Sequence, residues 1–193
     1  KHIFLQAPTG VGKTISTIYP ALKELGEEKA ENIFYLTAKT ITRTVAEDTI
    51  KLLKKQGLSV SAVTITAKEK ICIQKEVQCN PESCERAKGH FDRINEALYA
   101  LLDSACDISR ENLLLYAERY NVCPYELSFE AAVWSDCIIC DYNYVFDPHV
   151  NRKSLIEGSL RQNIYLIDEA HNLLDRTRDM YSADIAKSDF KVP

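Results

Sequence analysis

Apolar positions along the chain fall into two rhythms. Short apolar runs bounded by polar or turn-forming residues read as strands: His2 to Gln6, Asn32 to Thr37, Ser61 to Thr66, Asp136 to Asp141 and Asn163 to Ile167. Between the first two, Ile15, Ile18, Tyr19, Leu22 and Leu25 recur at helical spacing, with Gly26 where a helix C-cap belongs and Pro20 expected to kink the helix. Thr40 to Gln56 reads as a second helix closed by Gly57. This alternation predicts an α/β fold, a parallel, doubly wound sheet flanked by helices. After Ala67 the rhythm changes. From there to Cys123 no strand signal interrupts two helical stretches, about Phe91 to Leu102 and Ser109 to Tyr120. Residues 67–123 therefore read as a mostly helical insert that loops out of the sheet with little apolar core of its own. Ala131 to Trp134 closes a short helix before the sheet resumes.

The first strand runs into Ala7-Pro8-Thr9-Gly10-Val11-Gly12-Lys13-Thr14, and a helix follows at once. Strand, glycine-bearing loop and a Lys-Thr helix start make the phosphate-binding P-loop pattern. Gly10 and Gly12 tolerate conformations that a side chain would block, so the backbone N–H groups from Thr9 to Thr14 can ring an anion. ATP is the natural guest: Lys13 reaches the β/γ-phosphates and the Thr14 hydroxyl holds Mg²⁺. Near the other end, Asn163 to Ile167 leads into Asp168-Glu169-Ala170-His171. A carboxylate at the carboxyl end of a parallel strand beside a P-loop supplies an outer Mg²⁺ ligand, Asp168, while Glu169 polarises the attacking water. His171 can link that site to whatever grips a polymer. Alone, Gly-x-Gly-Lys-Thr is an ordinary strand-to-helix turn and Asp-Glu an ordinary strand cap. Together they argue for nucleotide hydrolysis.

Composition narrows the picture. With 193 residues and 46% hydrophobic content, the chain can bury one sizeable core. Its 24 basic and 28 acidic residues give a net charge of −4, so any polyanion site must be a local patch. One candidate is the turn Thr37-Ala38-Lys39-Thr40 and the helix behind it, where Lys39, Arg43, Lys51, Lys54 and Lys55 outnumber Glu47 and Asp48. Phosphate contacts and a plain solvated helix face both account for that excess. No apolar run approaches membrane-spanning length and Lys1 does not open a signal peptide, so the chain reads as soluble and cytoplasmic. It opens directly on a core strand, as a piece of a longer protein would. Among seven cysteines, Cys72, Cys79 and Cys84 cluster at one edge of the insert and Cys123 stands at the other, with gaps of six, four and 38 residues. Thiolates in such a set suit tetrahedral Zn²⁺ or an iron–sulfur cluster, the wide gaps favouring the cluster, and plain unligated thiols account for them equally well. Cys137 and Cys140 face opposite sides of a strand and read as packing, and Cys106, at a helix end, also reads as a non-ligand.

In their order these motifs resemble a known family. Ala-x-x-Gly-x-Gly-Lys-Thr, the basic turn after the next strand and Asp-Glu-Ala-His are similar to motifs I, Ia and II of superfamily 2 helicases, Ala7 in the first glycine's place being a helicase form. Lys70-Ile71-Cys72-Ile73, Cys79, Cys84, Cys123-Pro124-Tyr125, Asp141 to Pro148 and Asp168 to Asn172 sharpen this to the XPD and DinG family of iron–sulfur helicases. The resemblance implies a RecA-like domain in two parts, 1–66 and 124–193, with a [4Fe–4S] insert at 67–123 ligated by Cys72, Cys79, Cys84 and Cys123. It implies an ATP site of Thr9, Gly10, Val11, Gly12, Lys13 and Thr14, Mg²⁺ on Thr14 and Asp168, and catalysis by Lys13, Asp168, Glu169 and His171. Single-stranded DNA and the DNA fork become the partners, met by Thr37, Lys39, Thr40 and Arg43 and, on the insert, by Lys68, Lys70, Arg86 and Lys88. Translocation would run 5′→3′. The arch domain and a second RecA-like domain of the parent chain, with its arginine finger, lie outside this sequence, so the isolated piece is expected to bind ATP weakly and not to unwind DNA. Two other readings of the residues are a P-loop NTPase with a zinc-stabilised insert and a thiol-based redox-sensing DNA-binding module.

Overall fold

Four of the five apolar runs meet in one parallel sheet of order β2-β3-β1-β4, made of β1 (Asn32–Leu36), β2 (Ala62–Thr64), β3 (Cys137–Cys140) and β4 (Asn163–Ile167). The computed structural model describes residues 2–8, 10–104, 107–150 and 163–183. Register is set on β1, where Tyr35 lies opposite Ile139 of β3 and Leu166 of β4. Ile33 to Leu36 are all buried, as a parallel strand covered on both faces must be, which is why this run is apolar throughout instead of alternating.

Period two sorts the sheet's side chains into two cores. Ile33, Tyr35, Cys137 and Ile139 face α1 (Lys13–Gly26) and α2 (Thr40–Lys55), where Ile18, Leu22, Ala46 and Ile50 cover them. Phe34, Leu36, Ile138 and Cys140 face the other layer. There, beyond the short α3 (Lys68–Ile71), lie α4 (His90–Asp103), α5 (Arg110–Arg119) and α6 (Pro124–Val133). Cys137 and Cys140 are thus fully buried on opposite faces, as strand spacing predicts. Helix starts follow local chemistry. The Ser109 side chain accepts the Asn112 N–H at 3.2 Å to cap α5, and Pro124 sits in the first turn of α6, where its missing N–H costs nothing. Helix α1 begins behind Gly12 in a left-handed conformation (φ 79°) and continues through Pro20 to Gly26. After β3 come α7 (Asn143–Phe146) and, beyond β4, a 3₁₀ turn (Ala170–Asn172) leading into α8 (Leu173–Met180). Among the described residues no helix is long and apolar enough to cross a membrane.

Two expectations change. His2 to Gln6 is not a strand here: Ile3, Phe4 and Leu5 are 82%, 92% and 75% exposed and outside the sheet. An apolar run becomes a strand only where a ladder takes up its backbone groups, and among the described residues β4 pairs with β1 alone. The helices of residues 67–123, in turn, do not stand off from the sheet. Ile94, Ala97 and Leu101 of α4 and Leu113 and Ala117 of α5 share one cluster with Phe34, Leu36 and Ile138.

That shared core makes a stability prediction. Leu101→Ala, at a fully buried site in the cluster, should cost about 2–5 kcal/mol in urea unfolding of the whole chain. Phe4→Ser, on the exposed run, should stay within about 0.5 kcal/mol of wild type. Equal small effects at both sites would contradict the shared core.

Candidate functional site

The P-loop and the acidic turn meet at the carboxyl end of the sheet. Gly10 and Gly12 take positive φ of 82° and 79°, the conformations for which the loop needs glycine. Lys13 and Thr14 follow, half-buried in the first turn of α1, while Val11 is exposed and Thr9 lies outside the described residues. On the neighbouring strands, Asp168 donates its backbone N–H to the Leu36 carbonyl at 3.0 Å, carrying the β1–β4 pairing one residue beyond β4. Tyr35, on β1, pairs with Leu166, so Asp168, two residues further along, falls on the same face of the sheet, and the Thr14 and Asp168 side chains both act on the Tyr35 hydroxyl. One buried phenol therefore neighbours both residues predicted to hold Mg²⁺.

The acidic turn is held from behind. Glu169 adopts a left-handed conformation (φ 50°, ψ 45°), uncommon for a residue other than glycine. Its carbonyl accepts the Asn172 N–H at 2.9 Å and the Asn172 Nδ2 at 3.2 Å. The fully buried Tyr142 donates its hydroxyl to the Asp168 carbonyl, with the Glu169 carbonyl 3.4 Å away. His171 is exposed and places Nδ1 3.4 Å from a Glu169 carboxylate oxygen. Burial, and then the nearby Asp168 charge, push the hydroxyls of Tyr35 and Tyr142 up to about 12, so both stay neutral hydrogen-bonding groups. Motif reading missed both. Tyr35 carried a signal only in its place, a phenol at the end of a strand beside the P-loop, and Tyr142 was one of several aromatics that packing alone explained.

The predicted nucleic-acid contacts divide. Thr40, Arg43 and Lys70 line one groove of about 400 Å³ together with Lys51 and Arg110, opposite Glu47 and Glu111. The Arg43 Nε is buried there without a partner. Lys39 is exposed at the start of α2. Thr37 is 1% exposed and shares a hydrogen bond with the Thr42 hydroxyl, so it braces the turn and is removed from direct contact with a polymer. Lys68 lies over the Tyr125 ring at 4.8 Å. Lys88 is exposed, and Arg86 buries its Nε without a partner.

Cys72, Cys79, Cys84 and Cys123 are all free. Cys72 ends α3 and Cys123 precedes α6, two helices that pack together. Arg93 donates to the carbonyls of Lys88 at 2.8 Å and Asn121 at 2.9 Å, tying the turn after Cys84 to the approach to Cys123. Cys79 is close enough for its charge to act on Cys123. Yet among the described residues no three His, Cys, Asp or Glu side chains converge as a metal-binding group. The expected convergence of four thiols is not preformed: Cys79 stands on an exposed loop, while Cys72, Cys84 and Cys123 are half-buried. Cys106 lies outside the described residues.

Residues 35–190 match the protein family described as DEAD_2. Among curated proteins, the chain is 35% identical over 78 residues, 40% of its length, to the Fanconi anemia group J protein homolog of Gallus gallus. It is 25% identical over an alignment of 230 residues, covering 95% of the chain, to the Regulator of telomere elongation helicase 1 homolog of Caenorhabditis briggsae. The chain spans only 6% and 22% of the lengths of these two relatives. A solved structure named XPD_Helicase matches 91% of this chain and 30% of that one, with a TM-score of 0.62 at 19% identity. Another, named Truncated XPD, matches 90% of this chain and 48% of that one, with a TM-score of 0.56 at 22% identity. At these identities the two structures establish the shared fold.

Thiol environments differ enough to be read by alkylation. Burial, only partly offset by backbone N–H bonds from Glu126 and Tyr125, raises the Cys123 thiol above its ordinary range, so it holds less thiolate at pH 8 than an unperturbed cysteine. In metal-free protein, iodoacetamide labelling followed by mass spectrometry should modify exposed Cys79 first, Cys123 later, and Cys137 and Cys140 only on unfolding. Cys123 labelling as fast as Cys79 would contradict the structure.

Proposed function

The chain belongs to the DEAD_2 family, and from that premise we propose that it is the ATP-binding segment of a DNA helicase. In the intact parent, ATP hydrolysis drives movement along single-stranded DNA, 5′→3′, and opens the duplex at a fork. The observation that carries the proposal is that the glycine loop opening α1, with Gly10 and Gly12 at positive φ, and Asp168, carried one residue beyond β4 by its bond to Leu36, lie about the same residue, Tyr35. Two of the curated relatives' and neighbours' names contain the word helicase, which supports the same reading.

Each residue then has a role. Gly10 to Thr14 bind the phosphates through backbone N–H groups, Lys13 meets the β/γ oxygens, and Thr14 and Asp168 hold Mg²⁺, which when bound neutralises charge on the transferred group. Glu169 orients and polarises the attacking water, and His171, on its carboxylate, faces solvent where a polymer or a second domain can reach it. A second RecA-like domain of the parent supplies the other wall of the site. Thr40, Arg43 and Lys70 meet DNA phosphates along the α2 groove, with Lys39 exposed at the start of α2 and Lys88 on the insert. Residues 1–66 with 124–193 form the motor unit and 67–123 the insert, whose Cys72, Cys79, Cys84 and Cys123 hold a [4Fe–4S] cluster. The donor chemistry fits, four free thiols with Cys79 and Cys123 in electrostatic reach of each other. When bound, such a cluster cross-links the exposed Cys79 loop to the ends of α3 and α6.

Three measurements test this. In the parent, Lys13→Ala should lower ATP turnover by at least about 100-fold and Glu169→Gln by about 10²–10⁴-fold, the latter with nucleotide still bound. Unchanged turnover in either removes the assignment. Arg43→Ala or Lys70→Ala should reduce the salt dependence of DNA binding by about one phosphate contact each, whereas an unaltered slope would take the groove off the DNA path. Anaerobic purification should yield about four iron and four sulfide per chain, and colourless protein with stoichiometric zinc would overturn the cluster.

A further inference from the structure

Asp168 and Glu169 are gripped from two sides by phenols that belong to neither motif. Tyr35, 2% exposed on β1, lies on the α1-facing side of the sheet, the side on which the β1–β4 register also places Asp168, two residues beyond Leu166, and the Asp168 and Thr14 side chains both act on its hydroxyl. Tyr142, fully buried between β3 and α7, approaches from the opposite core and bonds to the backbone of the same turn. The turn needs holding. Glu169 is in the left-handed region, which a side chain makes unfavourable, and its peptide would relax were its carbonyl free to rotate. Asn172 takes one approach to that carbonyl, and Tyr142 stands 3.4 Å from it while donating to the carbonyl before it.

We propose that Tyr35 and Tyr142 are positioning residues for nucleotide hydrolysis. Tyr35 fixes the Asp168 carboxylate against Thr14 so that the two oxygens share one divalent cation, and Tyr142 locks the Glu169 turn so that its carboxylate stays aimed at the attacking water. The inference rests on the nucleotide-site reading above. Geometry favours phenols for the task. A buried cation next to Asp168 would compete with the metal for the carboxylate, whereas a neutral hydroxyl orients it and leaves its charge in place. Phenylalanine would fill the same space without the bond, so the oxygen atoms are what the site requires. Tyr142 packs among the residues of the larger core, with Leu127 of α6 and Ile138 of β3, so the catalytic turn is anchored to the layer that also holds α4 and α5.

The experiment uses Mn²⁺ in place of Mg²⁺, titrated by electron paramagnetic resonance into the whole chain with ADP. Wild type, Tyr35→Phe and Asp168→Asn are compared, and melting temperature is the control for folding. Tyr35→Phe should weaken Mn²⁺ binding about 10–100-fold, the usual effect of removing a partner of a metal ligand, while metal-free ADP affinity stays within about twofold. Hydrogen exchange reads Tyr142 without any ligand. In Tyr142→Phe the Asn172 amide, which donates to Glu169, should exchange about 10-fold faster, with the β1 amides unchanged. If Tyr142→Phe melts, the Tyr35 arm still decides. Asp168-dependent Mn²⁺ binding in wild type with no change in Tyr35→Phe, or an Asn172 amide indifferent to Tyr142→Phe, overturns the proposal and leaves the nucleotide site standing. Absence of Asp168-dependent Mn²⁺ binding in wild type overturns both.

Discussion

Asp168 donates its backbone N–H to the Leu36 carbonyl at 3.0 Å, and the placement of the whole site follows from this continuation of the β1–β4 pairing. Strand β1 is buried on both faces, so its groups have no water to turn to, and a slip of one residue would carry Tyr35 to the opposite core. Register is therefore strongly specified. With β1 fixed, α1 lies over the face that carries Ile33 and Tyr35, which brings Thr14 to the end of the sheet where β4 delivers Asp168. Two residues far apart in sequence meet because one ladder admits one register.

Strain and charge are then managed locally. Glu169 takes a backbone conformation that costs on the order of 1–3 kcal/mol for a residue with a side chain. The bonds from Asn172 and Tyr142 offset that cost by satisfying the carbonyls of a turn that would otherwise carry buried, unpaired acceptors. The bonding partners found for Asp168 are a phenol and backbone groups, none of them a cation. The turn is thus braced through its backbone, which leaves the side chains of Asp168 and Glu169 for the roles proposed for them.

Much of this was legible in the sequence, and what was not has physical causes. Continuous apolar runs announced β1, β3 and β4, and amphipathic spacing announced α1, α2, α4 and α5 within a residue or two. Gly10 and Gly12 were readable because a loop that turns at positive φ calls for glycine, and Asp168 and Glu169 were readable as a motif at the end of an apolar run. His2 to Gln6 was misread because an apolar run reports a wish for burial and says nothing about whether a neighbouring strand is present to pair with it. A hydroxyl in a basic turn, such as Thr37, is ambiguous from sequence, and its burial against Thr42 was not legible there. Tyr35 and Tyr142 were invisible for a related reason. A buried tyrosine is packing until its oxygen is seen to have a partner.

The cysteine region obeys a different logic from the nucleotide site. The loop between Cys72 and Cys84 is mostly exposed and is ordered by short-range bonds, Gln74 to the Ser83 carbonyl at 3.2 Å and the Ser83 N–H to the Asn80 side chain at 2.8 Å. No apolar anchor from that loop other than its boundary residue Ile71 enters the larger core, so its position relative to Cys123 is weakly fixed. Arg93 fastens the far side, from Lys88 to Asn121, by a single guanidinium whose bonds are partly open to water. Little packing holds such a loop in place, and a cation that replaced the thiol protons would supply the free energy for the arrangement. The raised Cys123 thiol expresses the same balance: without a metal, burial keeps the proton on. A backbone ladder builds the proposed nucleotide site in advance, whereas the thiols would reach the form proposed for them only to the extent that a ligand supplied the free energy.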